Sequence, residues 1–300
     1  MQFGRVPNIT SIDFTFPPNH PGTNKVLGGA KSETLNVYVG APVWSDPGFP
    51  GKIYPAKARE KDFVKYYGLQ FNCIELNTTH YRVPEPATVK RWSDAVPAGF
   101  KFCPKIHQGI SHSSTIEQRI PEMQAFYESV SGFDDKLGTC FLQLPPTFDV
   151  TGLQRLTEFL DRSPVRDLAV ELRHESWFSD ATALNQLCNY LYKNNFTLCI
   201  TDVAGRRDVL HQRLTNKTAL VRFVANDLNP ADLLRMDDWI SRLSVWIQNG
   251  LERLYFFIHT PEKSLTPELA IYFIRHLNEA CGLHIALPEI QGARPENELF

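Results

Sequence analysis

The chain has 300 residues, of which 43% are hydrophobic and 21% are charged, and its formal net charge at pH 7 is -2. This length suits one large domain or two smaller ones, and the composition is that of an ordinary globular protein. The small negative charge argues against a general nucleic-acid coat or a polybasic membrane binder, because both need an excess of basic residues.

Targeting and membrane signals are not visible in the sequence. The N-terminal segment has no cationic stretch followed by an apolar run, so no signal peptide is predicted. No stretch approaches about 18 consecutive apolar residues, so no membrane-spanning helix is predicted. The six cysteines follow no metal-ligand spacing, and reduced thiols in the core are the simplest interpretation. We therefore expect a cytoplasmic protein.

Residues 1–34 contain several prolines and no apolar periodicity, which predicts an irregular arm on the domain surface. After this arm, short β-rich runs alternate with stretches of helical spacing. The predicted strands are 36–42, 73–77, 101–106, 140–145, 168–174, 196–202, 219–225 and 254–260.

The eightfold alternation predicts an α/β fold of the (β/α)8 TIM-barrel type. A doubly wound sheet is the alternative, but it usually carries a Gly-rich phosphate loop after its first strand, and "VGAPVWSDPG" is not such a loop. We expect a single domain, with the arm at 1–34, the barrel at 35–287 and a C-terminal tail at 288–300.

Charged side chains occur late in most of the predicted strands. The side of a barrel strand that faces the helices is dry, and an unpaired charge there costs several kcal/mol. The inward side opens to solvent near the C-terminal ends of the strands, where barrel active sites lie. We therefore expect six charged groups to converge there, namely Glu75, Lys105, Glu171, Arg173, Asp202 and Arg222.

This charged set has two interpretations. Its three acidic and three basic groups can pair with one another, so a purely structural ion-pair network is one hypothesis. A ligand site is the other, and we favour it because aliphatic side chains fill barrel interiors more simply. Ionisable groups clustered at a barrel mouth are better explained by a ligand.

At these residues the sequence resembles a known family. The segments "VYVGAPVWSDPGFPGKIYP", "FNCIELNTTHYRVPEPATVKRWSDAVPAGFKFCPKIHQGISH", "FLQLPPTF" and "LAVELRHESWF" are similar, in order and spacing, to the YecE-like family (domain of unknown function 72). The likeness covers residues 36–260. It implies a TIM barrel distantly similar in shape to endonuclease IV and xylose isomerase, and it implies no established activity. The family pattern falls on Trp44, Tyr54, Glu75, Asn77, Tyr81, Lys105, His107, Gln143, Pro145, Glu171, Arg173, His174, Trp177, Asp202 and Arg222.

Two departures from the family pattern concern the last two strands. The seventh strand, "VRFVAND", keeps Arg222 but lacks the His-Gly that commonly follows in the family. The eighth, "FFIHTPEK", places His259 where the family often has an Asn-Asn pair. We expect an altered pocket rim and a divergent subgroup.

The chemistry that these residues favour is the binding of a small anion. Arginine side chains bind phosphate or carboxylate groups in a bidentate way. Aromatic rings expected at the mouth can stack on a base or a sugar, and these are Trp44, Tyr54, Tyr81 and Trp177. We expect a phosphate- or carboxylate-bearing ligand, and phosphate or sulfate can occupy its site. The predicted binding residues are Lys105, Arg173, Arg222, His174, His107, Asn77, Tyr81, Gln143, Trp177, Trp44 and His259.

Acid–base catalysis is the predicted reaction chemistry, of a hydrolase or lyase type. Glu171 is the first candidate for a general base, and Glu75 and Asp202 are the others. A two-carboxylate glycosidase is disfavoured, because the strands that usually carry its acids end here in Gln143 and Arg222.

Three alternatives stay open at this point. The first is a bound metal, with Glu171, Asp202, His174 and His259 as its ligands, although nearby Arg and Lys side chains would repel a cation. No organic cofactor is expected. A nucleic-acid-processing or metal-dependent hydrolase shaped like endonuclease IV is the second. A non-catalytic ligand-binding barrel is the third. The substrate and the oligomeric state are not predicted.

Overall fold

The computed structural model describes Gly4, Val6 and residues 8–291, and it is a mixed α/β fold in which parallel strands alternate with helices. The described strands are β1 (Asn36–Ala41), β2 (Cys73–Leu76), β3 (Lys101–Pro104), β4 (Cys140–Gln143), β5 (Leu168–Glu171), β6 (Thr197–Leu198), β7 (Ile200–Asp202), β8 (Thr218–Val224) and β9 (Arg253–His259). Every predicted β-run therefore contains a strand, although most strands are shorter than predicted.

Helices connect the strands, and residue types that favour helix ends stand at the ends of some of them. The Asp180 carboxylate accepts hydrogen bonds from the backbone N–H groups of Thr182 and Ala183 at the start of α9, and Gly282 ends α11 in the left-handed conformation. The helices are α1 (Pro21–Leu27), α2 (Phe63–Gln70), α3 (Thr78–Tyr81), α4 (Pro86–Ala95), α5 (Gln108–Ser111), α6 (Ile120–Val130), α7 (Leu153–Arg162), α8 (Ser176–Ser179), α9 (Ala181–Lys193), α10 (Pro230–Gln248) and α11 (Thr266–Cys281).

The strands form two parallel sheets. The larger has the order β3-β2-β1-β9-β8-β7, and the smaller has the order β4-β5-β6. Only Cys199 separates β6 from β7, and its N–H donates to the Val170 carbonyl of β5 at 2.9 Å. At the other edges, the Ile106 N–H donates to the Phe141 carbonyl of β4 at 3.0 Å. Backbone hydrogen bonds thus cross both junctions between the sheets.

The two faces of the strands are buried in different surroundings. One face packs against the helices and belongs to the main hydrophobic core. The other face forms a separate cluster built from strand residues and the adjoining Cys199, which we call the inner apolar layer. Its buried members are Cys73, Cys103, Phe141, Ala169, Cys199, Leu220, Tyr255 and Phe257. The strands are therefore enclosed on both faces, as expected for parallel sheets.

The N-terminal arm is more ordered than the sequence suggested. The expectation of an irregular arm over 1–34 is wrong for Pro21–Leu27, which forms α1. The Thr23 hydroxyl of this helix is buried and donates to the Gln212 carbonyl at 3.0 Å. Burial of Leu27 in the main core adds an apolar contact that supports this short helix.

Two other expectations concern the chain end and the membrane. Of the tail predicted at 288–300, residues 292–300 lie outside the described residues. The Gln291 N–H donates to the Lys52 carbonyl at 2.7 Å, so the last described residue of the tail contacts the loop between β1 and α2. Within Gly4, Val6 and 8–291, no helix combines the length and hydrophobicity that crossing a bilayer requires.

Candidate functional site

Polar side chains follow the inner apolar layer at a constant spacing along the strands. In six of the strands, the residue two positions after a layer member has a charged, amide or imidazole side chain that projects from the same face. These residues lie near the C-terminal ends of the strands and are Glu75, Lys105, Gln143, Glu171, Arg222 and His259. Arg173, two residues beyond Glu171, joins the same group. An apolar layer is thus followed by a polar one.

The centre of the polar layer is a fully buried Glu75–Arg222–Glu171 arrangement, which we call the inner cluster. Arg222 donates to the two Glu75 oxygens at 2.8 and 2.9 Å. It donates to the two Glu171 oxygens at 3.0 and 2.8 Å from a single nitrogen, Nη1. Such paired charge-assisted contacts fix the geometry of all three groups.

Amide and imidazole groups complete the hydrogen bonding of these two carboxylates. Asn77 Nδ2 donates to Glu75 Oε1 at 2.8 Å, and His259 Nε2 lies 2.9 Å from Glu75 Oε2. Gln143 Nε2 donates to Glu171 Oε2 at 2.7 Å. Together with a hydrogen bond from Arg173 to Glu171 Oε1, these contacts give each oxygen of both carboxylates at least two hydrogen bonds.

This hydrogen bonding keeps both carboxylates ionised. Burial opposes ionisation, but the charge of Arg222, the nearby His259 and the hydrogen bonds from both residues together outweigh it and hold the pKa of Glu75 well below its usual range. Burial likewise opposes ionisation of Glu171, and the Arg222 and Arg173 charges together lower its pKa to about 2. Saturated carboxylates with such low pKa values are weak bases. The geometry therefore favours a positioning role for Glu75 and Glu171 over proton transfer.

Lys105 and Arg173 lie above the inner cluster. Lys105 Nζ donates to Gln143 Oε1 at 2.7 Å, and Arg173 Nε donates to Glu171 Oε1 at 3.1 Å. Only 6% of the surface of Lys105 and 8% of that of Arg173 is exposed. Burial and the charge of Arg222 lower the pKa of Lys105 to about 8, whereas ordinary lysines titrate near 10.4. Lys105 is therefore a partly desolvated amine at an opening in the structure.

That opening is a cavity of about 430 Å³ at the C-terminal ends of the strands. Asn77, Tyr81, Lys105, Gln143, Arg173 and His259 line it, so six of the predicted binding residues share one wall. Lys263, from the loop after β9, adds a third cation. Among the described residues that line the cavity, none is a carboxylate, because Glu75 and Glu171 lie beneath its surface.

Several lining residues were missed by the sequence reasoning. His80, His112, Asn226 and Lys263 line the cavity but were not predicted as site residues. The first two lie in the segment that carries the family resemblance, and "FFIHTPEK" contains the last, so their motifs were the available signals. The arm also reaches the cavity through Gly4, whose carbonyl accepts from the Gly205 N–H at 2.8 Å.

Asp202 does not join this site, and its predicted position is wrong. Its carboxylate lies on the opposite face of β7, where it accepts from Arg235 at 2.8 Å and from the Trp239 indole at 2.8 Å. Arg235 also donates to Asp232 at 3.1 Å. We call Asp202, Asp232 and Arg235, all buried between the strands and α10, the outer cluster. Leu198 and Ile200 share the parity of Asp202 and are apolar, which was the signal for this orientation.

The predicted aromatic mouth is only partly present. Trp177 is fully buried in the main core, and its indole N–H donates to the Phe148 carbonyl at 2.8 Å. Trp44 packs edge-on against Trp92 with ring centroids 5.1 Å apart, outside the cavity wall. Tyr54 is also fully buried in the core. Of the four predicted aromatics, only the exposed Tyr81 lines the cavity.

Two predicted histidines also lie outside the cavity wall. His107 is the N-cap of α5, where its ring accepts from the Gly109 N–H at 3.1 Å. The His174 ring accepts from the Ser176 N–H at 3.1 Å in the loop after β5. Both rings serve local turns. Among the described residues, no group of three or more His, Cys, Asp or Glu side chains is placed to hold a metal ion.

Comparisons with known proteins give a family and a fold. Residues 38–292 match the family model described as "Protein of unknown function DUF72". The chain is 30% identical over 278 residues to UPF0759 protein YecE of Escherichia coli K12, with 86% of this chain and 96% of that protein covered. It is 26% identical over 154 residues to UPF0759 protein YunF of Bacillus subtilis 168, with 48% and 52% covered.

A crystal structure of a DUF72 family protein from Enterococcus faecalis V583 at 3.10 Å resolution has a similar fold. The two superpose with a TM-score of 0.63 at 20% sequence identity, with 87% of this chain and 100% of that chain covered. A second crystal structure of a DUF72 family protein from that organism, at 2.52 Å, gives a TM-score of 0.61 at 21% identity, with 82% and 98% covered. These structures support the α/β architecture alone.

Proposed function

This chain belongs to the DUF72 family of proteins of unknown function, and we propose that it is an enzyme that acts on a small anionic substrate in the cavity above the inner cluster. The substrate bears a phosphate or a carboxylate group. A cavity of about 430 Å³ is of the size that small ligands occupy. A nucleic acid is a weaker candidate, because a net charge of -2 supplies no long basic track.

The observation that carries this proposal is the separation of charge. Lys105, Arg173 and Lys263 line the cavity, whereas the two carboxylates lie beneath it, where Arg222 contacts both and Arg173 also contacts Glu171. A purely structural network would have no need of three cations around an open space. Cationic groups that face a cavity favour an anion, and Arg forks fit phosphate or carboxylate oxygens.

We infer in addition that the strands close into a (β/α)8 barrel with the cavity at its C-terminal mouth. Hydrogen bonds cross both junctions between the sheets. Arg222 of β8 contacts both Glu75 of β2 and Glu171 of β5 within about 3 Å, and strands so far apart in the order meet across a closed interior. An experimental structure with a gap between β3 and β4 would contradict closure.

The single-domain organisation and the location also belong to this proposal. We propose one domain, with an arm that covers part of the surface and reaches the cavity at Gly4. The six cysteines are free and buried, which is the state expected in a reducing compartment such as the cytoplasm.

Titration with inorganic phosphate and with sulfate, followed by calorimetry, tests the anion site. We expect Arg173→Ala to lower the affinity at least about tenfold, because hydrogen bonds to charged groups contribute about 1.5–3 kcal/mol. Arg162→Ala is the matched control, since Arg162 is exposed at the end of α7, where the chain turns toward the start of β5. The control variant should bind as the unchanged protein does.

Two results would count against the proposal. If Arg173→Ala abolished cooperative unfolding, the charged layer would be a structural network. If neither anion bound, and small carboxylates also failed to bind, the cavity would not be an anion site. Binding without turnover of any phosphorylated or carboxylated compound would favour a non-catalytic ligand-binding barrel.

A further inference from the structure

Lys105 differs from the other cations of the cavity in its surroundings. It follows β3 directly, and its backbone N–H donates to the Leu76 carbonyl at 3.2 Å, so the start of the side chain is fixed by the sheet. Lys105 lines the cavity although only 6% of its surface is exposed. A lysine whose stem is held by packing presents its nitrogen at a defined place.

The partner of the amine is an amide oxygen. Gln143 donates from its Nε2 to Glu171, and this contact turns Gln143 Oε1 toward the Lys105 amine at 2.7 Å. A neutral oxygen holds the nitrogen in position without supplying the negative charge that would favour the ammonium form. The nearest carboxylates, Glu75 and Glu171, are both occupied by Arg222.

Burial raises the neutral fraction of the amine, while the charges around it act in both directions. Burial and the positive charges of Arg222 and Arg173 lower the proton affinity of Lys105, and Glu171 and Glu75 oppose this effect. Lysines that are desolvated or lie beside another cation are the ones that attack carbonyl groups. Burial lowers the pKa of His80, on the same wall, to about 4, so this ring is neutral near pH 7 and leaves Lys105 as the basic group of the two.

We propose that Lys105 is the nucleophile of this site and forms an imine with a substrate that carries both a carbonyl group and an anionic group. The substrate class is that of oxo acids and phosphorylated aldehydes or ketones. This inference rests on the proposed anion site, since Arg173 and Lys263 hold the anionic end and leave the carbonyl carbon facing the Lys105 amine.

The step is balanced without any further reagent. The neutral Lys105 nitrogen adds to the carbonyl carbon as the C=O π bond breaks, and the oxygen takes up the proton that the nitrogen releases. The resulting carbinolamine loses its oxygen as water, with one proton from the medium, and leaves a protonated imine. This cation withdraws electrons from the adjacent carbon, and so activates the substrate for bond cleavage or proton exchange there.

Reductive trapping on the full-length chain tests the proposal. The chain is incubated with glyceraldehyde 3-phosphate, pyruvate or uncharged propanal, each with sodium cyanoborohydride, and the adducts are located by peptide mass mapping. We expect Lys105 to be labelled by the two anionic carbonyl compounds at least about tenfold faster than Lys90, an exposed lysine of α4. Inorganic phosphate should slow labelling at Lys105 and leave Lys90 unaffected.

The Lys105→Arg variant keeps the positive charge and should lose the labelled peptide, while Lys90→Arg should retain the adduct on Lys105. Labelling that spreads over exposed lysines and spares Lys105, in a protein that still binds phosphate, would overturn the imine and leave the anion site intact. Equal labelling of Lys105 by propanal and by the anionic compounds would overturn the substrate class. Because the map is read on the unchanged chain, a variant that fails to fold does not remove the test.

Discussion

The inner and outer clusters are two solutions to the burial of carboxylates by arginine. In each, one arginine contacts two carboxylates and every member is buried. The inner cluster forms the floor of a cavity lined by Lys105 and Arg173. The outer cluster is closed over by Trp239 of α10 and by the ring of Phe14, whose centroid lies 5.2 Å from the Arg235 guanidinium carbon.

The difference shows that buried ion pairing alone does not indicate a ligand site. Both clusters contain ionisable groups held far from solvent, and removing a partner from either would leave an uncompensated charge. What sets the inner cluster apart is the space above it and the cations that face this space. The outer cluster joins β7 to α10 and has the contacts of a structural network.

The largest expected effect is on the stability of the inner cluster. Arg222→Met would leave the fully buried Glu75 without its arginine and Glu171 with Arg173 alone, and breaking a buried ion pair typically costs about 3–5 kcal/mol in the free energy of unfolding. Arg235→Met is the matched change in the outer cluster, where Arg207 and the Trp239 indole remain as donors to Asp202. We expect a smaller loss there.

Chemical denaturation monitored by tryptophan fluorescence and circular dichroism measures both variants. A loss in Arg235→Met that equals or exceeds the loss in Arg222→Met would contradict the contrast. In that case, the outer cluster would depend on its arginine as much as the inner cluster does.

The positions of the strands and most of the inner residues could be predicted from the sequence. Side chains alternate between the two faces of a strand, so a residue two positions after an inward-facing one also faces inward. Each of four charged residues follows a residue of the inner apolar layer by two positions, namely Glu75, Lys105, Glu171 and Arg222. The alternate positions of these strands hold bulky apolar residues that pack against the helices, so the polar residues must point to the inner face. This argument needs no knowledge of the loops.

Residues beyond the strand ends could not be predicted in the same way. The loop after β5 turns Trp177 into the core, where its indole finds the Phe148 carbonyl, and strand parity carries no information about such a turn. The prediction for Asp202 was wrong for a different reason. It relied on the position of Asp202 late in the strand and not on the parity that Asp202 shares with the apolar Ile200. Position along a strand and direction across it are independent.

Acid should weaken the inner cluster, and Glu171 is the group to follow. Its pKa is about 2 in the folded chain against an ordinary value of 4.5, so the unfolded chain binds its proton first as the pH falls. The stability that this carboxylate contributes is present above about pH 5 and is lost as the pH falls toward 2. The loss amounts to roughly 3 kcal/mol.

Unfolding measured between pH 7 and pH 2.5 tests this sign. Glu171→Gln should be less stable at pH 7 and should show a flatter decline in acid, because its side chain no longer takes up a proton. Glu128→Gln, at an exposed position of α6, should decline as the unchanged chain does. An unaltered acid decline in Glu171→Gln would show that the carboxylate does not drive the pH dependence.

The smallest expected effect separates stability from binding. Asp202→Asn removes one charge from the outer cluster but keeps a side-chain oxygen that can accept from Trp239 or Arg235, and Arg235 retains Asp232. We expect a loss of about 1–3 kcal/mol in the free energy of unfolding, the range for a weakened buried hydrogen bond to a charged group. Phosphate affinity should change less than about twofold, because affinity responds to contacts made with the ligand and Asp202 is not itself one of the residues that line the cavity. Calorimetric titration with phosphate, performed on this variant and on Arg173→Ala, compares the effects of the outer cluster and of the cavity wall on the same affinity. A tenfold loss of affinity in Asp202→Asn would mean that the two clusters are coupled through β7 and β8, and that the outer cluster belongs to the site.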